Sequence, residues 1–428
     1  MSTQLTKAPM SRKMHRMPER PTQQHSLFDA PAQPEGSEGP FVPSKIRTTS
    51  PFHQPRDLTE AQREKFRKMS RDSREARRSA LAGEGPAPLH EINIPKFRPL
   101  DLMPQRDGQG VSALSLFSGG GGLDLGVERA GFTHTASFEI MQEAGDTLRK
   151  ARNDWAVFSG EEDGDVRRAN FKQWRGKVDL LHGGPPCQPF SNAGRQQGHL
   201  DERDMWPQFV RAVKDIRPAA FIGENVPALA SPKFSQYVSE NILAPLSGNY
   251  QIQTVTLQAS DFGVPQVRRR VFFVGFRTKK MAKAWSAPDP THYWGDASIT
   301  GGARCMGLRE ALGLPDTGID DLSPTIRSSL TGPRHTTSIL NSVAAQRKFE
   351  SLEIWPNGVA ADRASARAFV AKNGHFRLSV PDVALIQGFP EDWPFVGATY
   401  MALGQIGNAV PPPLAYAVAS SVLDALSK

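Results

Sequence analysis

The chain has 428 residues, of which 38% are hydrophobic, a formal net charge of +8 and two cysteines. This length is enough for two or three domains with a core, and the positive charge fits a polyanionic partner. Two cysteines exclude a disulfide framework and a cysteine-rich zinc site, so we expect no metal site. No apolar run approaches the ~18 residues of a membrane span and no apolar signal segment begins the chain, so we expect a soluble cytoplasmic protein.

The first part of the chain, residues 1–110, is rich in Pro, Gln, Ser and Arg and has no long apolar run. This composition predicts a basic, largely disordered extension. A helix is predicted near residues 58–82, where Asp57 and Glu60 make a capping box and Gly83 can end the helix. The helix is either solvated or lies with its basic residues on DNA phosphates or on the main domain.

From Val111 onward, short apolar strands alternate with helical stretches. This alternation predicts an α/β fold with a doubly wound, mostly parallel sheet, in which ligands bind at the carboxyl ends of the strands. The predicted strands are Ser112–Phe117, Thr135–Phe138, Val178–His182 and Ala219–Gly223, followed by an antiparallel pair, Gln251–Gln258 and Arg270–Phe276.

The predicted main domain spans residues 111–276. Residues 277–398 form a smaller domain, irregular and rich in Gly, Pro, Ser and Thr up to about His375, with a helix predicted at Pro381–Gln387. Residues 399–428 contain a predicted helix, Leu414–Leu426, and return to complete the main domain.

Four glycines follow the first strand in Leu116–Leu123, and Glu139 ends the second strand 20 residues after Gly119. Such a loop lets a nucleotide approach the backbone, and the carboxylate can accept both ribose hydroxyls. A tight structural turn is the alternative interpretation. A dinucleotide is disfavoured because Gly-x-Gly-x-x-Gly is not satisfied.

Cys187 lies in Gly-Gly-Pro-Pro-Cys directly after a predicted strand, where a partly ionised thiol is a nucleophile. The alternative is a buried, inert thiol. Glu224 follows the next strand and acts as an acid if burial raises its pKa. The signal consists of only three residues, Glu224-Asn225-Val226, and is equally compatible with a structural role.

Gln266, Arg268 and Arg270 alternate at the start of a predicted strand and so share one face. Three amide or guanidinium groups on one face suit an anionic or multidentate partner. A solvated basic edge is the alternative.

In this order and spacing, the clusters resemble the DNA (cytosine-5) methyltransferase family of restriction–modification systems, from about Ala113 to Ser427. The resemblance implies an S-adenosylmethionine-dependent, Rossmann-like methyltransferase fold. The matching motifs are Leu116–Gly122, Phe138–Ile140, Gly164–Val166, Pro186-Cys187, Glu224–Val226, Gln266-x-Arg268-x-Arg270, Leu378–Pro390 and Gly404–Pro412. The motif at Leu378–Pro390 departs from the family, which usually has Arg where Leu385 stands and whose Pro is displaced to Pro381 here.

The resemblance also implies roles for individual residues. Cys187 would attack the cytosine and Glu224 would protonate it, supported by Gln266, Arg268 and Arg270. The implied cofactor residues are Phe117, Ser118, Gly119, Gly121, Gly122, Leu123, Glu139, Ile140, Asp165, Val166, Pro186, Asn408, Ala409 and Val410. The implied DNA contacts are Gln188, Ser191 and Gln196 after the nucleophile, and Thr325, Arg327 and Arg334 in a target-recognition domain, residues 277–398.

The expected function is methylation of carbon 5 of a flipped-out cytosine within a specific, short palindromic double-stranded DNA sequence. We expect a monomer in the bacterial cytoplasm or nucleoid, with a cognate restriction endonuclease that acts on the same site without a required complex. The alternatives are a cytosine-5 methyltransferase that acts on RNA, an NAD-dependent oxidoreductase, and a non-enzymatic DNA-binding protein.

Overall fold

The structure is a computed structural model that describes residues 59–61, 63–65, 67, 68, 71, 75, 92–108, 110–186, 204–295, 302–328, 330, 336–340, 342–367 and 375–428. The described positions between 60 and 75 are helical, as the sequence predicts for this segment. Ion pairs join Arg67 to Glu60 and Glu64 on this helix.

A seven-stranded sheet with the order β3-β2-β1-β4-β5-β7-β6 forms the centre of the fold. The first five strands in this order are parallel, and β7 runs antiparallel to both β5 and β6. The α/β prediction is therefore confirmed. The strands are β1 Ser112–Leu116, β2 Thr133–Glu139, β3 Val157–Ser159, β4 Leu180–Gly183, β5 Ala220–Asn225, β6 Gln251–Gln258 and β7 Arg269–Phe276.

Helices cover both faces of this sheet, because the central strands are continuous buried runs whose successive side chains point to opposite faces. On one face, Leu114 of β1 and Phe221 of β5 share a core with α4. On the other face, Ala113 and Ile222 share a core with α1 and α13. The helices up to β7 are α1 Gly122–Arg129, α2 Gln142–Ala151, α3 Gly160–Asp163, α4 Trp206–Ile216, α5 Ser235–Val238 and α6 Ala244–Ser247, with a π-helical turn at Ser239–Leu243.

The region after β7 has more regular structure than its composition predicts. A parallel pair of strands, β10 and β11, packs under α9 and α11 over a third core that contains Phe349 and Ile354. The sequence hides β10 because Pro356 and Gly358 interrupt it. The elements are α7 Lys279–Ala284, β8 His292–Tyr293, β9 Ala303–Arg304, α8 Leu308–Ala311, α9 Val343–Ser351, β10 Ile354–Ala360, α10 Arg363–Arg367, β11 Phe376–Ser379, α11 Val380–Ile386, α12 Thr399–Asn408 and α13 Pro412–Leu426.

Residues 92–108 lie packed on this fold, ahead of the predicted boundary at residue 110. The backbone N–H groups of Lys96 and Phe97 donate to the carbonyl of Ala311 at 3.1 and 3.2 Å. The side-chain amide of Asn93 donates to Asp382 at 3.0 Å. The few apolar residues of this segment, such as Phe97 at 5% exposure, enter the core, which a composition averaged over the whole extension does not reveal.

One stretch of the described residues, Thr399–Leu426, is long and apolar enough to cross a membrane by length and composition. In the fold, 67% of its most apolar window is buried, and α13 packs against α1. Burial in a protein core accounts for the apolar character of this stretch.

The contact between α1 and α13 predicts the effect of one substitution. A Cβ atom at Gly126 would lie 2.5 Å from both the Cβ of Ala415 and the backbone nitrogen of Tyr416. We expect Gly126→Ala to lower the free energy of unfolding by about 1–3 kcal/mol, because two helices that are this close must move apart. Denaturant unfolding measures the change.

Gly248→Ala is the matched control, because a Cβ atom there meets no atom within 4 Å. We expect this control to change stability by less than about 1 kcal/mol. Wild-type stability of Gly126→Ala would contradict the described helix contact.

Candidate active site

The carboxyl ends of β1, β2, β4 and β5 border one cavity of about 310 Å³. Of the implied cofactor residues, all except Gly121 line it. Glu224 and Arg270 also line it, so the cofactor motifs and part of the catalytic motifs meet in one place. Parallel strands bring their carboxyl ends to the same edge of a sheet, which explains why segments distant in sequence converge here.

The loop from Phe117 to Gly122 leaves β1 in an unusual backbone conformation. Phe117, Gly119 and Gly121 have φ angles of 57, 55 and 83°, in the left-handed region. Phe117 is a non-glycine residue held in this strained region beside a cavity, which is typical of ligand sites. The loop therefore places its backbone N–H groups and the start of α1 at the cavity wall.

Glu139, at the end of β2, is 6% exposed and binds this loop. Its carboxylate accepts hydrogen bonds from the backbone N–H of Gly119 at 2.7 Å and of Met141 at 2.8 Å. Burial raises the pKa of Glu139 to about 6, and these two N–H groups oppose the shift. Each carboxylate oxygen keeps a further lone pair, so the side chain can accept two more hydroxyl donors from the cavity.

Asp165 follows α3 and lines the cavity, and its carboxylate forms an ion pair with Arg167. The guanidinium group of Arg167 binds both of its oxygens, with Nη2 at 2.7 Å from Oδ2. Burial acts to raise the pKa of Asp165, but the hydrogen bonds from Arg167 outweigh it and the net pKa is lowered. Asp165 is therefore a hydrogen-bond acceptor at neutral pH.

Beneath the loop lies a buried polar cluster in which Ser118 meets three residues without a predicted role, Ser115, Asp124 and Ser137. The hydroxyl of Ser118 donates to that of Ser115 at 2.7 Å, and the hydroxyl of Ser137 donates to Asp124 at 3.1 Å. Asp124 is 3% exposed. Burial raises its pKa to about 6, against hydrogen bonds from the serines.

Glu224 is the penultimate residue of β5 and forms a buried ion pair with Arg270 of β7. The Oε1 atom of Glu224 lies 2.8 Å from Nε of Arg270, and both side chains are about nine-tenths buried. Burial raises the pKa of Glu224, and the charges of Arg270 and Arg268 oppose the shift. A Cβ atom at Gly184 would lie 2.9 Å from Oε2 of Glu224, so glycine at this position leaves room for the carboxyl group.

The segment that enters the nucleophile motif is fixed at its start. The side-chain amide of Asn225 donates to the carbonyl of Pro185 at 3.0 Å, and Pro185 and Pro186 line the cavity. The predicted nucleophile Cys187 and the predicted DNA contacts Gln188, Ser191 and Gln196 lie outside the described residues.

The contacts of Gln266 and Arg268 differ from the predicted ones. Both side chains are fully buried and precede β7, which begins at Arg269, so the argument from strand alternation does not apply to them. Neither side chain lines the cavity. Gln266 binds Gln387 at 2.9 Å, the carbonyl of Ile386 at 3.2 Å and the N–H of Ile326 at 3.2 Å, and Arg268 binds the carbonyls of Ile326, Gly407 and Ala409.

The sequence profile of the family described as C-5 cytosine-specific DNA methylase matches residues 111–304 and 316–424. The chain belongs to this family. The predicted family and the prediction of a DNA (cytosine-5) methyltransferase are confirmed, and the alternative of an RNA substrate fits less well than DNA.

Three characterised relatives of this methyltransferase illustrate the extent of the similarity. Type II methyltransferase M.NgoMIV of Neisseria gonorrhoeae is 35% identical over 319 residues, which are 74% of this chain and 98% of that protein. Type II methyltransferase M.NaeI of Lentzea aerocolonigenes is 34% identical over 74% of this chain and 76% of its own. Type II methyltransferase M.PspPI of Psychrobacter is 31% identical over 74% of this chain and 80% of its own.

Two of the three predicted recognition residues of the methyltransferase, Thr325 and Arg327, lie in the part of the chain that the structure describes. The hydroxyl of Thr325 donates to the carbonyl of Val267 at 2.5 Å, and the backbone N–H of Arg327 donates to Ile339 at 3.0 Å. Arg334 lies outside the described residues. The hydroxyl of Thr325 therefore links the predicted recognition domain to Val267, which precedes β7.

The cavity of the methyltransferase also has lining residues that sequence reasoning missed. Arg167 had a recognisable signal, since it directly follows the motif Gly164–Val166. Val226 and Gln405 lie within the motifs Glu224–Val226 and Gly404–Pro412 but were given no role of their own. The remaining residues belong to no motif: Met141, Ala144, Met205 and Leu330. Among the residues that the structure describes, no group of three or more His, Cys, Asp or Glu side chains could hold a metal ion.

The raised pKa of Asp124 predicts a pH dependence of stability. A carboxyl whose folded pKa of about 6 exceeds its ordinary value of 3.8 stabilises the fold fully below pH 3.8, and this contribution is lost as pH rises through 6. Asparagine stays neutral and keeps an acceptor for Ser137. We expect Asp124→Asn to be more stable than wild type by about 2–3 kcal/mol at pH 8, with a difference that shrinks below pH 6.

Thermal unfolding across pH 4–8 measures this difference. Asp289→Asn, at an exposed carboxyl, is the control and should follow the wild-type pH profile. A pH-independent difference for Asp124→Asn would contradict a buried, titrating Asp124.

Proposed function

We propose that the chain transfers a methyl group from S-adenosylmethionine to carbon 5 of a flipped-out cytosine in a specific, short palindromic site of double-stranded DNA. We further propose that it acts as a monomer in the bacterial cytoplasm or nucleoid. There it protects host DNA from a restriction endonuclease that recognises the same site. The two enzymes need not form a complex with each other. The observation that carries the proposal is that the buried Glu224–Arg270 pair and the Glu139–Gly119 pair face one cavity. The names of the type II relatives support the protective role.

The residues of the cavity fit a bound S-adenosylmethionine. Glu139 has acceptor capacity for two ribose hydroxyls, and Asp165 has it for the adenine amino group. Phe117 and Ile140 offer apolar surface for the adenine ring and the sulfonium group, and Asn408 and Val410 close the opposite wall. A Cβ atom at Gly122 would lie 2.2 Å from the carbonyl of Val410, so a larger residue would push the wall away. When bound, the cofactor supplies the electrophilic methyl group.

The first chemical step would join Cys187 to the cytosine. The thiolate attacks carbon 6, which breaks the aromaticity of the ring. Glu224 donates its proton to N3, so the ring gains no net negative charge and carbon 5 becomes enamine-like. Burial raises the pKa of Glu224, which favours its role as the proton donor, and Arg270 holds the carboxyl group at 2.8 Å through Nε.

The remaining steps restore the aromatic ring. Transfer of the methyl group to carbon 5 would break its bond to the sulfonium sulfur, which becomes a thioether. A base or water then removes the proton from carbon 5, the electron pair returns to the ring, the bond to the Cys187 sulfur breaks and the N3 proton returns to Glu224. None of these atoms is accessible inside a stacked duplex, so the target cytosine must first be turned out at a cost of a few kcal/mol. Gln188, Ser191 and Gln196, which follow the nucleophile, would contact the DNA around it.

The contacts of the two buried side chains revise one part of the predicted mechanism. Gln266 and Arg268 position backbone segments, the charge of Arg268 also acts on Glu224, and Arg270 binds Glu224 directly. We propose residues 277–398 as the target-recognition domain, with Thr325, Arg327 and Arg334 near the DNA. The hydroxyl of Thr325 is engaged with Val267, so its contribution would be to place the segment.

DNA that carries 5-fluorocytosine tests the covalent mechanism. Fluorine at carbon 5 cannot leave as a proton does, so the reaction stops with Cys187 bound to the base. We expect a complex of wild type, duplex and S-adenosylmethionine that survives denaturation in gel electrophoresis and mass spectrometry. Matched RNA serves as the second substrate and should give no such complex.

Cys187→Ala should form no covalent complex, whereas Cys305→Ala should form as much as wild type. Cys305 is the control thiol because it is buried and its pKa is raised to about 12 by burial, so it is unreactive. Absence of an adduct with wild type, or an adduct with Cys187→Ala, would refute the mechanism.

Glu224→Gln separates proton donation from binding. The glutamine oxygen can still accept from Arg270, but the side chain cannot supply an acidic proton. We expect kcat to fall by about 10²–10⁴-fold while the Kd for DNA changes by less than about threefold. Glu240→Gln, at an exposed glutamate, should keep wild-type kcat. A Glu224→Gln protein with normal turnover would remove the acid role.

A further inference from the structure

Trp393 lies in the turn after α11, outside the cavity, yet it binds the loop Phe117–Gly122. Its indole Nε1–H donates to the carbonyl oxygen of Gly120 at 2.9 Å, and the side chain is 7% exposed. No motif that the sequence analysis identified contains Trp393. The bond joins two segments that are far apart in the sequence.

The ring of Trp393 also covers the next residue of this loop. A Cβ atom at Gly121 would lie 3.0 Å from Cζ2 of Trp393. Gly121 has a φ of 83° and immediately precedes α1. The indole group of Trp393 therefore binds the carbonyl of Gly120 and packs on Gly121. These two residues directly follow Gly119, whose N–H binds Glu139.

The indole ring is itself held on its other sides. The guanidinium carbon of Arg152 lies 5.4 Å from the ring centroid, and Phe389 packs at 5.7 Å between centroids. Arg152 is in turn bound by both oxygens of Glu128, at 2.7 and 2.8 Å. A ring that is fixed in this way transmits its own position to the loop.

The chain just after Trp393 is anchored to the elements around the cavity. The N–H of Val396 donates to the hydroxyl of Thr147 in α2 at 2.8 Å. The amide of Gln405 in α12 donates to the carbonyl of Val396 at 2.8 Å. The turn that carries the tryptophan is therefore not free to follow a displaced loop.

We infer that Trp393 is a positioning residue that holds Phe117–Gly122 in the conformation that accepts the cofactor. It does not line the cavity, so it acts through the backbone of Gly120 and Gly121. The inference rests on the proposed function of this cavity as the S-adenosylmethionine site. Its consequence is that cofactor affinity depends on one hydrogen bond made outside the pocket.

The test compares Trp393→Phe with Trp285→Phe in the full chain. Phenylalanine keeps an aromatic ring but loses the N–H donor. Trp285 is the matched control because it is 6% exposed and its indole donates to Ser421 at 2.9 Å, away from the cavity. Calorimetric titration with S-adenosylmethionine gives Kd, and hydrogen exchange without cofactor reports the mobility of the loop peptide.

We expect Trp393→Phe to raise the Kd and the KM for S-adenosylmethionine about fivefold. This change equals about 1 kcal/mol, the usual contribution of one hydrogen bond. Exchange of the Ser118–Gly122 amides should be faster, while kcat and the KM for DNA at saturating cofactor should stay at wild-type values. Trp285→Phe should leave both the cofactor Kd and the loop exchange unchanged.

Three outcomes are decisive. Wild-type Kd and wild-type loop exchange in Trp393→Phe would overturn the inference alone. Equal losses in Trp285→Phe and Trp393→Phe would also overturn it, because they would indicate general destabilisation. If wild type binds no S-adenosylmethionine, the proposed function fails, and the exchange rates still decide whether Trp393 fixes the loop.

Discussion

The guanidinium group of Arg268 joins three parts of the chain that meet around the cavity. It is fully buried and donates to the carbonyl of Ile326, within the region that follows β7, and to the carbonyls of Gly407 and Ala409, which flank Asn408. Removing one of these acceptors would leave a buried charge poorly compensated, at a cost of several kcal/mol, so the segments are held together. The position of Asn408 in the cavity wall depends on these hydrogen bonds of Arg268. So does the start of β7, where Arg270 contacts Glu224.

Those parts of the site that arise from local sequence could be predicted. The glycines after β1 and the carboxylate at the end of β2 meet as the spacing indicates, because parallel strands end at one edge. Gly119 donates to Glu139, and Glu224 lies beside Arg270. The other cofactor residues were implied by the family resemblance, and all of them line the cavity except Gly121, which faces Trp393 and Leu148.

Those parts that depend on tertiary contacts could not be predicted. Gln266 and Arg268 lie before the strand, so strand alternation gave no information on their partners. Pro356 and Gly358 concealed β10. Residues 92–108 are packed by a few contacts in a stretch whose average composition is polar. For Trp393, a single hydrogen bond to a backbone carbonyl leaves no trace in residue types or spacing.

The packing of α13 on α1 has a consequence for biosynthesis. The helix α1 is synthesised well before its partner α13, which lies almost three hundred residues further along the chain (Gly122–Arg129 and Pro412–Leu426). Until then α1 exposes the apolar face that α13 later covers, and contacts of such long range form slowly. Chaperones that shield apolar surface have their longest opportunity at this face. Because Asn408–Val410 is also synthesised long after the other cavity residues, a nascent chain that has not yet reached these residues lacks one wall of the cavity.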